Sequence, residues 1–175
     1  MRLSRANLLL RAETPTLDGR MDKLDRRILA LYQHDTRRIA GSIGAEVGLS
    51  AAAVQRRLKT LRASGAIASE IAQLNPTALG ARIACIVTVS MAATPAPHMQ
   101  LDRFKRDIAA APEVQQCYHV TGPIDFVLVV TVPTMEDYAA FARRWFEANK
   151  AVARFDTHVV LDRVKVGVSL PVATD

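Results

Sequence analysis

Gly48-Leu49-Ser50 separates two amphipathic helical patterns by only three residues, and so short a connection forces the two helices to cross closely. Residues 39–47 set Ile39, Ile43 and Val47 on one face. Gly48 ends that run, Leu49 fills the gap, and Ser50 is a good N-cap for the next helix. There Val54, Leu58 and Leu61 recur at i, i+4 and i+7, which fixes the buried face, and Gly65 closes it. Upstream, Asp22 and Asp25 stand as a capping-box-like pair before Leu24, Ile28 and Leu31, so residues 23–33 read as a first helix. Residues 67–74 read as a pair of short strand-like stretches ending at Asn75-Pro76. Helix, short helix, turn, helix and a small β wing make a winged helix-turn-helix, spanning 21–74.

With Val54 buried, a step of about 100° per residue turns Ala52, Arg56 and Lys59 outward, with Ala53, Gln55 and Thr60 on the flanks. In a helix-turn-helix that outer face enters the major groove of double-stranded DNA. Arg56 has the fork for a guanine edge or a phosphate, and Gln55 the amide for adenine. Lys59, Arg57 and Arg62 suit phosphates, which position the protein without reading sequence. Arg57 leans towards the packed side, so an intramolecular salt bridge is an equal expectation for it.

Charge supports this placement. The net charge is +6, and residues 1–80 carry all of it, with 13 Lys/Arg against 7 Asp/Glu. No acidic residue falls between Glu46 and Glu70, while Arg56, Arg57, Lys59 and Arg62 crowd one segment. Such a one-sided basic field attracts phosphate backbones or anionic membrane surfaces, although a solvated helix face has the same composition.

After Leu79-Gly80 the character changes, and residues 75–81 read as a hinge. Residues 82–91 are a β-branched run, hence a strand. Residues 97–111 align Leu101, Phe104, Ile108 and Ala111 on one helical face before Pro112. Residues 114–121 and 126–132 are two strands joined by a hairpin-type connection. Thr134, with Asp137 as its reciprocal acid, caps a helix on which Tyr138, Phe141, Ala142, Trp145 and Phe146 share one face. Residues 152–166 supply a last long strand. The order βαββαβ predicts an α+β, ferredoxin-like (ACT-like) domain over 82–170, an antiparallel sheet with both helices on one face. Residues 171–175 are left as a tail, and residues 1–20 as a flexible arm or start-site extension, with Met21 a candidate start.

Enzyme signatures are scarce. His34, His98, His119 and His158 are scattered without HxH or HExxH spacing, and there is no Walker A, GxGxxG or GxSxG sequence. Cys85 and Cys117 sit in no CxxC and read as two buried thiols of a reducing cytosol. The expectation is a non-enzyme with no cofactor and no metal. No secretory h-region and no bilayer-length apolar run is present, so the expected place is the cytoplasm, associated with the nucleoid.

Four stretches in order resemble the Lrp/AsnC, or "feast/famine", transcription regulators over about residues 21–170. They are MDKLDRRIL, AEVGLSAAAVQRRLKTLRASGAI, LNPTALG and YHVTGPIDFVLVV. The resemblance implies a DNA-binding domain followed by an effector-binding and oligomerisation domain. It implies homodimers formed through the C-terminal sheets, assembled further into tetramers or octamers, with a small molecule, usually an amino acid, bound where dimers meet. Its DNA-contact positions fall on Ser50, Ala52, Ala53, Gln55 and Arg56. Its effector-loop positions fall on Thr121, Gly122, Asp125 and Phe126, with Thr157 on the last strand. Pro123 in that loop departs from the acidic or polar residue common in relatives and makes a different ligand, or none, an open expectation. Asp125 has two readings, an acceptor for a ligand ammonium or a brace for its own loop. Sirohaem decarboxylases resemble the same two-domain pattern and supply an enzymatic alternative, which the basic helix at 50–62 argues against. An effector-independent architectural DNA-binding protein is a third.

Overall fold

The computed structural model describes residues 21–79, 83–93 and 96–174, so the predicted arm at 1–20, residues 80–81 of the hinge and residue 82 at the start of the second domain lie outside the described residues. The chain divides into two compact units, 73–164 and, among described residues, 21–72 with 165–174.

The first unit contains α1 (Lys23–Tyr32), α2 (Ala40–Val47) and α3 (Ala51–Ala63). Three of their ends are set by local chemistry. The Asp22 and Asp25 side chains each accept from the other's backbone N–H, at 2.7 and 3.2 Å, closing a reciprocal capping box. Ser50 Oγ accepts from Ala53 N at 3.2 Å and starts α3. Gly48 ends α2 with φ at 77°, the left-handed conformation that costs glycine least. Ile28, Tyr32, Ile43, Val47, Val54 and Leu58 form the core between the helices.

The predicted β wing is a correction. Residues 68–75 form no regular structure, and Ile71 and Leu74 stand 75% and 66% exposed. Strands this short have too few ladder bonds to hold without a partner. A side-chain cluster around Glu70 fixes the segment instead.

The second unit runs from a 3-10 turn (Thr77–Leu79) through β1 (Ile83–Met91), α4 (Pro97–Ala109), β2 (Val114–His119), β3 (Phe126–Val132) and α5 (Met135–Ala142) to β4 (Val152–Val159). A wide π-helical turn, Arg143–Glu147, follows α5. The strand order β2-β3-β1-β4, antiparallel throughout, is the ferredoxin-like sheet expected from βαββαβ. Strand alternation sends Cys85, Val87 and Val89 of β1, with Phe126, Leu128, Val130 and Val132 of β3, into one core with Phe104, Ile108, Phe141 and Phe146 of the helices. The opposite face presents Ile86 across from Val129, and Thr88 across from Val127.

The last strand stops at Val159 rather than reaching 166, and the tail from Lys165 groups with the helical unit instead of the sheet. There the Gln33 carboxamide takes both backbone groups of Leu170. Its Nε2 donates to the carbonyl at 3.0 Å and its Oε1 accepts from the N–H at 2.9 Å. Residues 161–174 keep the valine-rich alternation of a strand without forming one, and Val164, Val168 and Leu170 are 90%, 80% and 72% exposed.

Candidate DNA-binding and effector sites

On α3, Val54, Leu58 and Leu61 are buried, and Ala52, Gln55, Arg56, Lys59 and Thr60 face outward, with Ala53 half-buried at the flank. Ser50 is exposed at the N-terminus while its hydroxyl caps the helix. Gly44 allows α2 to approach the turn. A Cβ there would lie 2.3 Å from the Leu49 carbonyl oxygen, and Leu49 N already donates to the Gly44 carbonyl at 2.9 Å. Gly44 is not among the sequence-predicted positions, although a glycine inside a short helix beside a tight turn is a signal of close backbone approach.

The basic side chains of α3 divide into two sets. Arg57 Nη1 donates to Asp22 Oδ2 at 2.7 Å and Asp25 Oδ1 at 2.8 Å, so the intramolecular reading of Arg57 is the one the structure adopts. The Asp25 backbone N–H and the Arg57 guanidinium hold the Asp22 carboxyl below its usual range. Arg62 is also committed. Its Nη2 donates to Glu70 Oε1 at 3.0 Å and to Tyr32 Oη at 2.7 Å, and its Nε to Glu70 Oε2 at 3.2 Å. Tyr32 Oη donates in turn to Glu70. Arg62 lowers the Glu70 pKa, while burial raises that of the Tyr32 phenol. On α3, Arg56 and Lys59 are the cations that make no ion pair among the described residues. In this structure Arg57 braces α1 and Arg62 braces the segment after α3.

In the second unit the β2–β3 connection carries Thr121, Gly122 and Pro123 exposed at its tip. Gly122 has φ at 121°, a conformation side-chain-bearing residues rarely adopt. Asp125 ties the loop down. Its backbone N–H donates to the Val89 carbonyl, and its carbonyl accepts from Val120 N, each at 2.9 Å. Its Oδ2 accepts from Met91 N at 2.6 Å, beside the irregular register at Ser90/Met91. The carboxylate therefore braces its own loop, the second of its two expected roles. Phe126 is fully buried, 4.8 Å from the Phe104 ring and 4.9 Å from the His119 ring. The Thr157 hydroxyl is hydrogen-bonded to Tyr138 Oη on α5, so it is held on the helix-covered side of the sheet. His158, by its register opposite Ile86, belongs to the other face.

Burial pushes the Cys117 thiol up to about 11, and that of Cys85 up as well, so both stay protonated and unreactive near neutral pH. Among the described residues no cluster of His, Cys, Asp and Glu could hold a metal ion, and no helix is long and apolar enough to cross a membrane.

Family comparison agrees with this architecture. An AsnC-type helix-turn-helix domain matches residues 21–62, and an Lrp/AsnC ligand binding domain matches residues 84–170. The chain belongs to the Lrp/AsnC family. It is a DNA-binding transcription regulator of that type, and its curated relatives carry regulator names. An HTH-type transcriptional regulator of Sinorhizobium fredii is 40% identical over 87% of this chain and 89% of its own. The crystal structure of an AsnC family regulator from Agrobacterium tumefaciens is similar with a TM-score of 0.78 at 28% identity, covering 86% of this chain and 97% of that one. A Neisseria meningitidis regulator solved in complex with L-methionine has a TM-score of 0.77 at 25% identity, over 87% and 97% of the two chains.

Proposed function

We propose that this regulator reads DNA through the outer face of α3 and responds to a small molecule, of the amino-acid class, at the β2–β3 loop. One observation carries the DNA assignment. On α3, Arg56 and Lys59 are the cations left unpaired, on the same outward face as Ala52 and Gln55. Small residues at Ala51–Ala53 admit the helix N-terminus deep into a major groove, Arg56 and Gln55 reach base edges, and Lys59 meets phosphate. Ser50 lies at the groove entrance.

The effector proposal rests on the exposed Thr121-Gly122-Pro123 tip and on Asp125, whose Oδ1 has no protein donor among the described residues. Oδ1 is an acceptor for a ligand ammonium, and Thr121 adds a hydroxyl. The complex of the Neisseria relative with L-methionine supports an amino acid as the class. Phe126, fully buried at the end of the loop, supports it from beneath, whereas Thr157 lies on β4 opposite Val87 and is held to Tyr138 on α5.

Homodimers complete the proposal. The uncovered sheet face, with Ile86, Val127 and Val129, suits a second copy of the chain, and pairs of dimers then bring loops together. Linked binding domains raise effective concentration, so several weak helix-turn-helix contacts add to one firm one. An effector shifts such an assembly only through its differential affinity for the two states.

The test is binding of the purified protein to the DNA upstream of its own gene, at two salt concentrations, with and without an amino-acid pool. Discrete sites whose occupancy falls steeply with salt, as counterion release requires, support the DNA reading. A shift with one amino acid supports the effector reading. Salt-insensitive binding overturns the first, and indifference to every amino acid overturns the second.

A further inference from the structure

The chain passes between its two units twice, leaving the helical unit after residue 72 and rejoining it at residue 165. Both passages are fastened at one place, the C-terminal end of α1. Tyr32, the last residue of α1, donates from Oη to Glu70 on the outgoing segment. Arg62 reinforces that contact with bonds to both Glu70 carboxylate oxygens. Gln33, the C-cap of α1, takes the N–H and the carbonyl of Leu170 on the returning segment, at 2.9 and 3.0 Å. Two neighbouring residues thus grip two stretches of chain that lie far apart in sequence.

The returning segment is held by its backbone rather than by burial, because the Leu170 side chain is 72% exposed. A carboxamide offers both a donor and an acceptor, so Gln33 supplies residue 170 with what a ladder neighbour would. Past Leu170 the tail runs back along α1. Thr174 shares the lining of a cavity of about 220 Å³ with Ala30 and Leu31 of α1 and Val47 of α2. Residues 161–169, between this anchor and the bond from Val160 N to the Ala84 carbonyl, are exposed throughout.

We propose that Gln33 is a positioning residue for DNA binding. With Tyr32 it makes the end of α1 a clamp on both segments, so the helical unit is tethered at two points and α3 serves a narrow range of half-site spacings. The proposal rests on the reading of α3 as the groove helix of an assembly of at least two chains. Linked binding units gain effective concentration only where their tethers let both sites be reached. Releasing the returning segment leaves each α3 intact, lowers the gain at the correct spacing and widens the range of spacings tolerated.

The experiment compares full-length wild type with Gln33→Ala on three duplexes built from the DNA upstream of its own gene. One carries a single half-site, one the natural pair, and one the pair with about five base pairs inserted, a half turn of the duplex. Wild type should bind the natural pair about tenfold or more tightly than the half-turn pair. Gln33→Ala should shrink that ratio about threefold or more while binding the single half-site like wild type. Truncation after Val164, which removes the returning segment, should do the same. Glu70→Ala should shrink the ratio as well, and any phosphate contact by the freed Arg62 cancels because both pairs carry the same half-sites. A merely structural role would weaken all three duplexes alike. Solvent exchange reads the anchor without DNA. The Leu170 amide should exchange about tenfold more slowly in wild type than in free chain, and at the free rate in Gln33→Ala. Free exchange in wild type overturns the anchor, and an unchanged ratio in Gln33→Ala overturns the clamp. Absence of wild-type binding to all three duplexes overturns the DNA reading and the positioning role with it, while Leu170 exchange still decides the anchor.

Discussion

Arg57 of α3 holds Asp25 of α1 at 2.8 Å, and the same nitrogen reaches Asp22, so one guanidinium closes on both carboxylates of the α1 capping box. A side chain that by charge and position on α3 suits a phosphate thus fixes the angle at which α1 supports the outward face. Arg57→Ala is expected to destabilise the helical unit by about 1 kcal/mol, since the pair is only partly buried. The Asp22 pKa is lowered in the folded state, so its contribution is present above the unfolded pKa and is lost as pH falls through the folded value. Thermal unfolding followed from neutral pH to below about pH 4 should show wild type losing more stability than the variant. A drop in operator affinity with no change in melting temperature would return Arg57 to the DNA.

Arg56 gives the opposite expectation. It is exposed and unpaired, so Arg56→Ala should leave folding and subunit assembly intact while weakening operator binding by about 1–3 kcal/mol. Electrophoretic mobility shift with matched size-exclusion runs reads both. Loss of assembly with unchanged DNA affinity would put α3 in a protein interface instead.

The helices were legible because capping and periodicity are local. Asp22, Ser50 and Thr134 announce three helix starts, and Val54, Leu58 and Leu61 give the buried face directly. The sheet order followed from βαββαβ because few topologies remain once the elements are known. The fates of Arg57, Arg62 and Asp125 depend on partners 35, 8 and 34 residues away, which no local pattern encodes. The wing and the extended final strand failed for a related reason. Residues 67–74 and 160–166 have strand-like composition, but a ladder needs a neighbour, and past the Val160–Ala84 bond the described residues supply none there.

Gly44 tests how the turn is built. Gly44→Ala puts a Cβ 2.3 Å from the Leu49 carbonyl oxygen, and backbone cannot give way as a side-chain end can. The expected cost is about 1–3 kcal/mol, with DNA binding lost in proportion, because α3 is displaced relative to α2. Chemical denaturation measures the first and fluorescence anisotropy the second. Wild-type stability in this variant would show that the turn relaxes freely.

The uncovered sheet face makes a prediction about assembly. Val129 is flanked by Ile86 on β1 and Gln116 on β2, at the middle of the sheet. Val129→Asp buries a charge if a second copy covers that face, and burying an unpaired charge is costly. Light scattering should then find monomers at concentrations where wild type is dimeric, with circular dichroism unchanged. Dimers that persist would move the interface elsewhere.

Asp125 separates bracing from ligand binding, because two substitutions divide its roles. Asp125→Ala removes the acceptor for Met91 N, leaving a half-buried N–H without a partner and costing about 1–3 kcal/mol. Asp125→Asn keeps a carbonyl oxygen for that N–H but carries no charge for an ammonium. If the carboxylate only braces the loop, the Asn variant should melt like wild type and respond normally to the effector amino acid. If Oδ1 also holds the ammonium, the Asn variant should fold normally yet bind the amino acid about tenfold or more weakly, as loss of a charged hydrogen bond implies. Calorimetric titration beside thermal unfolding distinguishes the two, since one variant changes stability while the other changes only affinity.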